Sequence, residues 1–204
     1  MKTANAPLFK DPIHNGAADP VVIYNEETGT HYMLYTTRRA DVEEEGVMWV
    51  HGTDIGIAES KDNGNSWEYI GICKGLEYGE GKNTYWAPEV IRFGELYHMY
   101  VSYVPGIPAD WNHPRYILHY TSKNLIDWNF ESKLNLSSEK IIDACVFRLP
   151  NGISECGTRT SGTALIHILP TAKTYIIGKL KAVPPMMFRT RALMYLNLAV
   201  NTGL

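Results

Sequence analysis

The chain has 204 residues, 45% hydrophobic and 20% charged, with a formal net charge of -3. That composition supplies a sizeable core, and slight acidity with no long basic block excludes a nucleic-acid-binding surface. The N-terminus lacks the apolar centre of a signal peptide, no apolar run is long enough to span a bilayer, and Cys73, Cys145 and Cys156 are odd in number and widely spaced. A cytoplasmic protein without a disulfide framework is therefore expected.

Residues 1–18 are rich in turn formers (Pro7, Pro12, Asn15, Gly16) and predict an approach loop. Asp19-Pro20 opens an apolar strand at 21–24, followed by the polar turn 25–29 and a second strand at 31–36. After the acidic loop Glu43-Glu44-Glu45 come strands at 54–59 and 68–70, joined by the turn Ser60-Lys61-Asp62-Asn63-Gly64-Asn65-Ser66-Trp67. The order restarts at Trp86-Ala87-Pro88-Glu89-Val90. Strands at 90–93 and 96–103 flank Gly94-Glu95, and a long loop at 105–114 leads to a strand at 116–120. Ser122-Lys123-Asn124-Leu125-Ile126-Asp127-Trp128 then repeats the closing turn. A third unit opens at 142–149 with Pro150-Asn151-Gly152 as its turn. Strand-only units of four strands, each with a fixed closing turn and recurring roughly every 50 to 70 residues, predict a β-propeller.

In such a ring the first strand of each unit lines the central channel. Asp19, Glu89 and Asp143 stand at the starts of those strands, so they are predicted to converge on one mouth. Asp19 and Asp143 precede aligned valines (Val22, Val146) by the same spacing. Glu89 directly precedes Val90, and strand parity aims it to the same face. Carboxylates that share a cavity repel one another, which raises at least one pKa and supplies an acid beside a base. Trp86 adds an indole face able to stack on the apolar side of a sugar.

The motifs Ala18-Asp19-Pro20, Trp86-Ala87-Pro88-Glu89-Val90 and Ile142-Asp143-Ala144-Cys145-Val146-Phe147 follow this order at corresponding blade positions. Together they resemble the five-bladed propeller glycoside hydrolases of family 43 and its close relatives, over roughly residues 15 to 152. The resemblance implies an all-β propeller present here as its first two blades and the start of a third. It implies Asp19 as the general base that activates water, and Asp143 as the carboxylate that orients and tunes the general acid. The acid is a Glu in the next blade, in a Glu-Gly-Pro-like motif absent from the chain as translated. The implied reaction is hydrolysis of glycosidic bonds in plant-type oligo- or polysaccharides, with inversion and no cofactor. A non-catalytic carbohydrate-binding propeller is one alternative. A retaining fructosidase or a glycoside phosphorylase is another, the latter needing a cationic phosphate site for which Arg38 and Arg39 are suited.

Further residues carry two readings each. His51-Gly52-Thr53-Asp54 can bind a sugar hydroxyl or form a turn with a capped Asp. Arg39, like Arg38, can meet a substrate anion or pair with a channel carboxylate. His113, in the loop Trp111-Asn112-His113-Pro114-Arg115, is placed to touch ligand. The Ser60…Trp67 turn resembles a sialidase Asp box and is read as structural. No His/Cys cluster has zinc spacing and no phosphate loop precedes a helix, so no metal or cofactor is expected.

After Gly152 the pattern breaks: period-two alternation stops, and Glu155 is the only carboxylate that follows. The genetic code suggests why. Let the third base of each codon become the first base of the next, with the wobble bases and the Leu, Arg and Ser codon families chosen freely. Codons 155–160 can then encode Met-Trp-Tyr-Lys-Asp. Codons 171–180 can encode Ser-Lys-Asp-Leu-Tyr-Asn-Trp-Lys-Ala. Codons 190–204 can encode Glu-Gly-Pro-Asp-Val-Phe-Glu-Phe-Gly-Gly-Lys-Tyr-Trp-Leu. The expectation is a partial propeller domain at 1–152, with a frameshifted, non-native tail at 153–204 that packs poorly or not at all.

Overall fold

The computed structural model describes residues 6–14, 16–136, 138–148, 154–160, 163–169 and 176–178, with side chains as far as Val146. The strands form three four-stranded antiparallel sheets. The first is β1 (Ala17–Asn25), β2 (Thr30–Thr37), β3 (Ile55–Ser60) and β4 (Glu68–Ile72). The second is β5 (Thr84–Phe93), β6 (Leu96–Val104), β7 (Tyr116–Ser122) and β8 (Asn129–Lys133). The third is β9 (Ile141–Arg148), β10 (Ser154–Thr160), β11 (Thr163–Leu169) and β12 (Ile176–Gly178). Each sheet keeps its strands in chain order, so each is a simple meander and one blade of a propeller.

Local chemistry sets the turns. Gly94 takes a positive φ (59°) in the tight hairpin that brings Phe93 opposite Leu96. The closing turns use a serine at the end of the third strand. Ser60 Oγ accepts from Gly64 N, and Ser122 Oγ accepts from Leu125 N, with Asn63 and Leu125 both left-handed. The expected structural role of these turns is thus realised in both blades. Gly75 is irreplaceable where blade 1 passes to blade 2. Its φ is +77° and a Cβ would meet Trp128 O at 2.1 Å.

Strand alternation then divides the core. Tyr97, Met99, Val101 and Tyr103 of β6 join Leu34, Ile55 and Ile57 in the cluster between blades 1 and 2. Tyr100, on the opposite face of β6, packs with Ile117, Leu134, Ile141, Ala144 and Val146 between blades 2 and 3. The segment before β1 covers the far face of blade 1: Phe9 lies against Tyr35 at 5.4 Å, and Tyr35 donates to buried Asp11 at 2.7 Å.

The third blade goes further than the sequence pattern suggests. Strand structure does not end at β9, since β10 pairs with β9 from Arg148 to Ile141 and with β11 along its whole length. A meander asks only for short links and residues tolerant of the β region, which Thr158, Thr160, Thr163, Ile166 and Ile168 supply. β9 packs against β5, β6 and β7. Among the described residues, β10, β11 and β12 make their principal contacts within their own sheet. Residues 179–204 of the expected tail lie outside the described residues.

Candidate functional site at the channel mouth

Each innermost strand starts with the same distortion. Pairing breaks between Ala18 and Val21 in β1, and between Trp86 and Glu89 in β5. It breaks between Gly157 and Arg159 on the strand facing β9, opposite Ile142 and Cys145. Inside each break one residue adopts a left-handed backbone: Asp19 (φ 48°), Ala87 (φ 49°) and Asp143 (φ 56°). That conformation costs about 1–2 kcal/mol for a non-glycine residue and is best tolerated by Asn or Asp. Since β1 packs beside β5 and β5 beside β9, the three residues stand at one level on neighbouring strands.

A repeated hydrogen bond holds the level. Thr36, opposite Ala18 in blade 1, accepts the Ala87 amide at 2.9 Å through its hydroxyl. Ser102, opposite Trp86 in blade 2, accepts the Asp143 amide at 3.0 Å. The second strands of blades 1 and 2 therefore fix the bulge of the blade that follows. Sequence reasoning passed over these hydroxyls. Their signal was a small buried hydroxyl residue at matching positions of β2 and β6.

The bulge also corrects the alignment of the carboxylates. Glu89 does not correspond to Asp19 and Asp143; Ala87 does. Glu89 lies beyond the break, opposite Tyr100, and is only 3% exposed. Its Oε1 accepts the Val146 amide at 3.1 Å, which ties blade 2 to blade 3. Strand parity had aimed it into an open cavity, and the extra residue of the bulge breaks that parity. Asp19 is exposed and Asp143 half-buried, and these two keep matching positions in their bulges.

Loops from blades 1 and 2 build a rim of rings. His51, fully buried in the β2–β3 loop, has Nδ1 2.9 Å from Val47 O and Nε2 3.2 Å from His113 Nε2 in the β6–β7 loop. The carbonyl requires Nδ1–H on His51, and Pro114 O, 3.3 Å from His113 Nδ1, asks the same of His113, so a neutral His113 directs its one N–H either to Pro114 O or to His51 Nε2. Burial lowers the pKa of both imidazoles and favours this neutral pair. Trp86 donates its indole N–H to Val50 O at 2.7 Å and lies 4.9 Å from the His51 ring. Trp111, 52% exposed, sits 6.3 Å from Trp86 and 5.7 Å from His51. Trp86, His51 and His113 come together, but the two histidines expected to meet ligand are buried (0% and 8% exposed) with their ring nitrogens facing each other and loop carbonyls, and Trp111 is the open ring of the group.

The remaining predicted residues are drawn elsewhere. Arg39 forms a fork with Glu44 (3.0 and 2.5 Å) and donates to His51 O and Met48 O. It braces the rim from behind, and its partner is a loop carboxylate rather than one in the channel. Arg38 lies over the Trp49 ring at 5.7 Å. Asp54 pairs with Lys82 at 2.6 Å and lines a separate cavity of about 190 Å³ with Ile55, Ile72, Tyr78 and Tyr85. It is therefore parted from His51, with which the sequence grouped it. Among the described residues no group of His, Cys, Asp or Glu has the arrangement of a metal site.

No family model matches the sequence, and no curated protein does. Solved structures do match. A family 117 glycoside hydrolase from the marine bacterium Zobellia galactanivorans has a TM-score of 0.67 at 15% identity, over 85% of this chain and 59% of that one. An endo-arabinase from Bacteroides thetaiotaomicron has a TM-score of 0.53 at 14% identity, over 78% of this chain and 52% of its own. The alpha-L-arabinanase of Cellvibrio cellulosa, solved with arabinohexaose, has a TM-score of 0.55 at 18% identity, over 76% and 48%. The fold is a β-propeller. This chain spans 48–59% of the length of these three structures.

Proposed function

We propose that the protein is a glycoside hydrolase that cleaves with inversion, with Asp19 deprotonating the attacking water and Asp143 orienting the general acid. The observation that carries this reading is the shared left-handed bulge. Asp19 and Asp143 occupy its matching position in blades 1 and 3, with Ala87 at that position in blade 2 beside Trp86 of the aromatic group, which supports a shared site. A gap between carboxyl groups that admits a water is what inversion requires, about 6.5–9.5 Å between base and acid. The acid itself belongs to the next blade. The structural likeness to arabinanases favours a pentose or related polysaccharide as substrate. The buried free thiol of Cys73 fits the reducing compartment proposed for it.

Phosphorolysis loses one of its two candidate cations, because Arg39 is held by Glu44 and two loop carbonyls, which leaves Arg38 over the Trp49 ring. A purely carbohydrate-binding propeller keeps one observation in its favour: the exposed Trp111 platform needs no Asp19. Asp19→Asn in the reading-frame-restored, full-length protein separates the two. The hydrolase reading expects turnover to fall about 10²–10⁴-fold with sugar binding kept. Full turnover in that variant would exclude Asp19 as the base.

A further inference from the structure

The start of each blade is a frame whose positions the backbone constrains. Aligned on the pairing break, residues 18–23 read Ala-Asp-Pro-Val-Val-Ile, 86–91 read Trp-Ala-Pro-Glu-Val-Ile, and 142–147 read Ile-Asp-Ala-Cys-Val-Phe. The second position has positive φ every time (48°, 49° and 56°), and glycine is the residue least strained there. In blade 2 the frame runs on to Gly94 (φ 59°) and returns along β6.

We infer that the gene carries a one-base shift of reading frame between the codons of Asn151 and Glu155. Read in the other frame, the codons up to that of Leu204 specify the rest of blade 3 and the opening hairpin of a fourth blade. The strongest support comes from codons 190–204, which can encode Glu-Gly-Pro-Asp-Val-Phe-Glu-Phe-Gly-Gly-Lys-Tyr-Trp-Leu. Against residues 86–99 this string needs no gap. Pro falls on Pro88, Asp on Glu89, Val on Val90, Phe on Phe93 and Tyr on Tyr97. Glycine falls on Ala87 and on Gly94, the two left-handed positions of the β5–β6 hairpin. The encoded Glu takes the place of Trp86, at the rim of the channel mouth.

Two independent features agree. Codons 171–180 can encode Ser-Lys-Asp-Leu-Tyr-Asn-Trp, which shares Ser, Lys, Leu and Trp with the closing turn Ser122-Lys123-Asn124-Leu125-Ile126-Asp127-Trp128. In blades 1 and 2 that turn begins with the last residue of the third strand, Ser60 of β3 and Ser122 of β7. Composition changes at the same place: of the 22 acidic residues, only Glu155 lies beyond Gly152. Free third bases could supply one such motif in a random tail. They would not supply the closing turn and the next opening in order, with glycine at both left-handed positions. A propeller that binds sugar without cleaving it would carry the same shift.

The test is the nucleotide sequence of the gene from the Leu149 codon to beyond that of Leu204. The inferred frame requires ACG for Thr190 and AGG for Arg191, which yield Glu-Gly, and a terminal T in the Ile177 and Thr202 codons, which yields the tryptophans of the closing turn and of the opening hairpin. It should also stay open past the Leu204 codon. A stop codon in that frame between codons 155 and 204, or third bases that remove both the Glu-Gly pair and the turn tryptophan, overturns the inference. Expression supplies a second arm. The frame-joined gene, carried to its own stop codon, should give a protein with one cooperative unfolding transition, which the 204-residue chain should lack. Equally cooperative unfolding of the two would also overturn it.

Discussion

The hydrogen bond between Ser102 and Asp143 is the place to test whether one blade holds the site of the next. Ser102 is fully buried, and its hydroxyl accepts the amide of a residue whose φ is 56°. Ser102→Ala removes the acceptor and leaves that amide without this partner, which costs about 1–3 kcal/mol. The bulge itself stores about 1–2 kcal/mol of backbone strain that the bond helps to hold. The expected loss is therefore about 1–3 kcal/mol. With a urea m-value of about 2 kcal/mol/M, the midpoint should fall by about 0.5–1.5 M. Ser102→Thr is the control, because Thr36 already performs this role at the matching position of blade 1. Urea titration of the frame-joined protein, wild type and both variants, gives the numbers. An unchanged midpoint in Ser102→Ala, or a threonine variant as damaged as the alanine one, would refute the reasoning.

Three other outcomes follow from the same contacts. Gly75→Ala puts a methyl group 2.1 Å from Trp128 O at a φ of +77°, so it should destabilise by about 2 kcal/mol or more and lower the urea midpoint accordingly. His119 lies against His98 (2.9 Å) and Tyr100 (4.6 Å), and burial, then the neighbouring imidazole, lowers its pKa to about 4. A depressed histidine binds fewer protons folded than unfolded, so its contribution is present above about pH 6.5 and is lost as pH falls towards 4. His119→Gln should flatten the fall of the urea midpoint across that window, and an unaltered slope would contradict the assignment. Trp111→Ala should weaken the best-binding member of an oligosaccharide panel about tenfold, as the loss of one ring platform implies. Calorimetric titration reads this, with thermal unfolding as a check that stability is unmoved.

Much of the fold was legible because its signals are local. Alternation of β-branched and aromatic residues marks β2, β5, β6 and β7, and the Ser…Trp turns announce the blade period. The matching positions of Asp19 and Asp143 were legible for the same reason: the residues around each repeat the same frame. Glu89 was misread because parity counting assumes an unbroken strand, and the left-handed residue at Ala87 inserts a step into β5. Arg39 and Asp54 were misread for a different reason. Long charged side chains choose partners in three dimensions, and Glu44 and Lys82 lie closer than the channel does. Composition could not rank those partners, since each arginine had several carboxylates within reach in sequence.

The third blade separates two kinds of information that usually travel together. Backbone pairing tolerates many sequences, so β10 and β11 form a ladder from residues that show no sustained alternation. Packing is less tolerant, because a blade must present one apolar face to each neighbour. β9, which retains the pattern, supplies Ile141, Ala144 and Val146 to the core against blade 2, while β10 to β12 contact chiefly one another. At the other end of the chain, Val22 and Tyr24 of β1 stay 48% and 47% exposed, although the segment around Phe9 covers their sheet nearby. A ring of blades leaves such surface bare only where a neighbour is missing. The bare outer face of β1 is thus what a propeller whose later blades are written in another frame would leave.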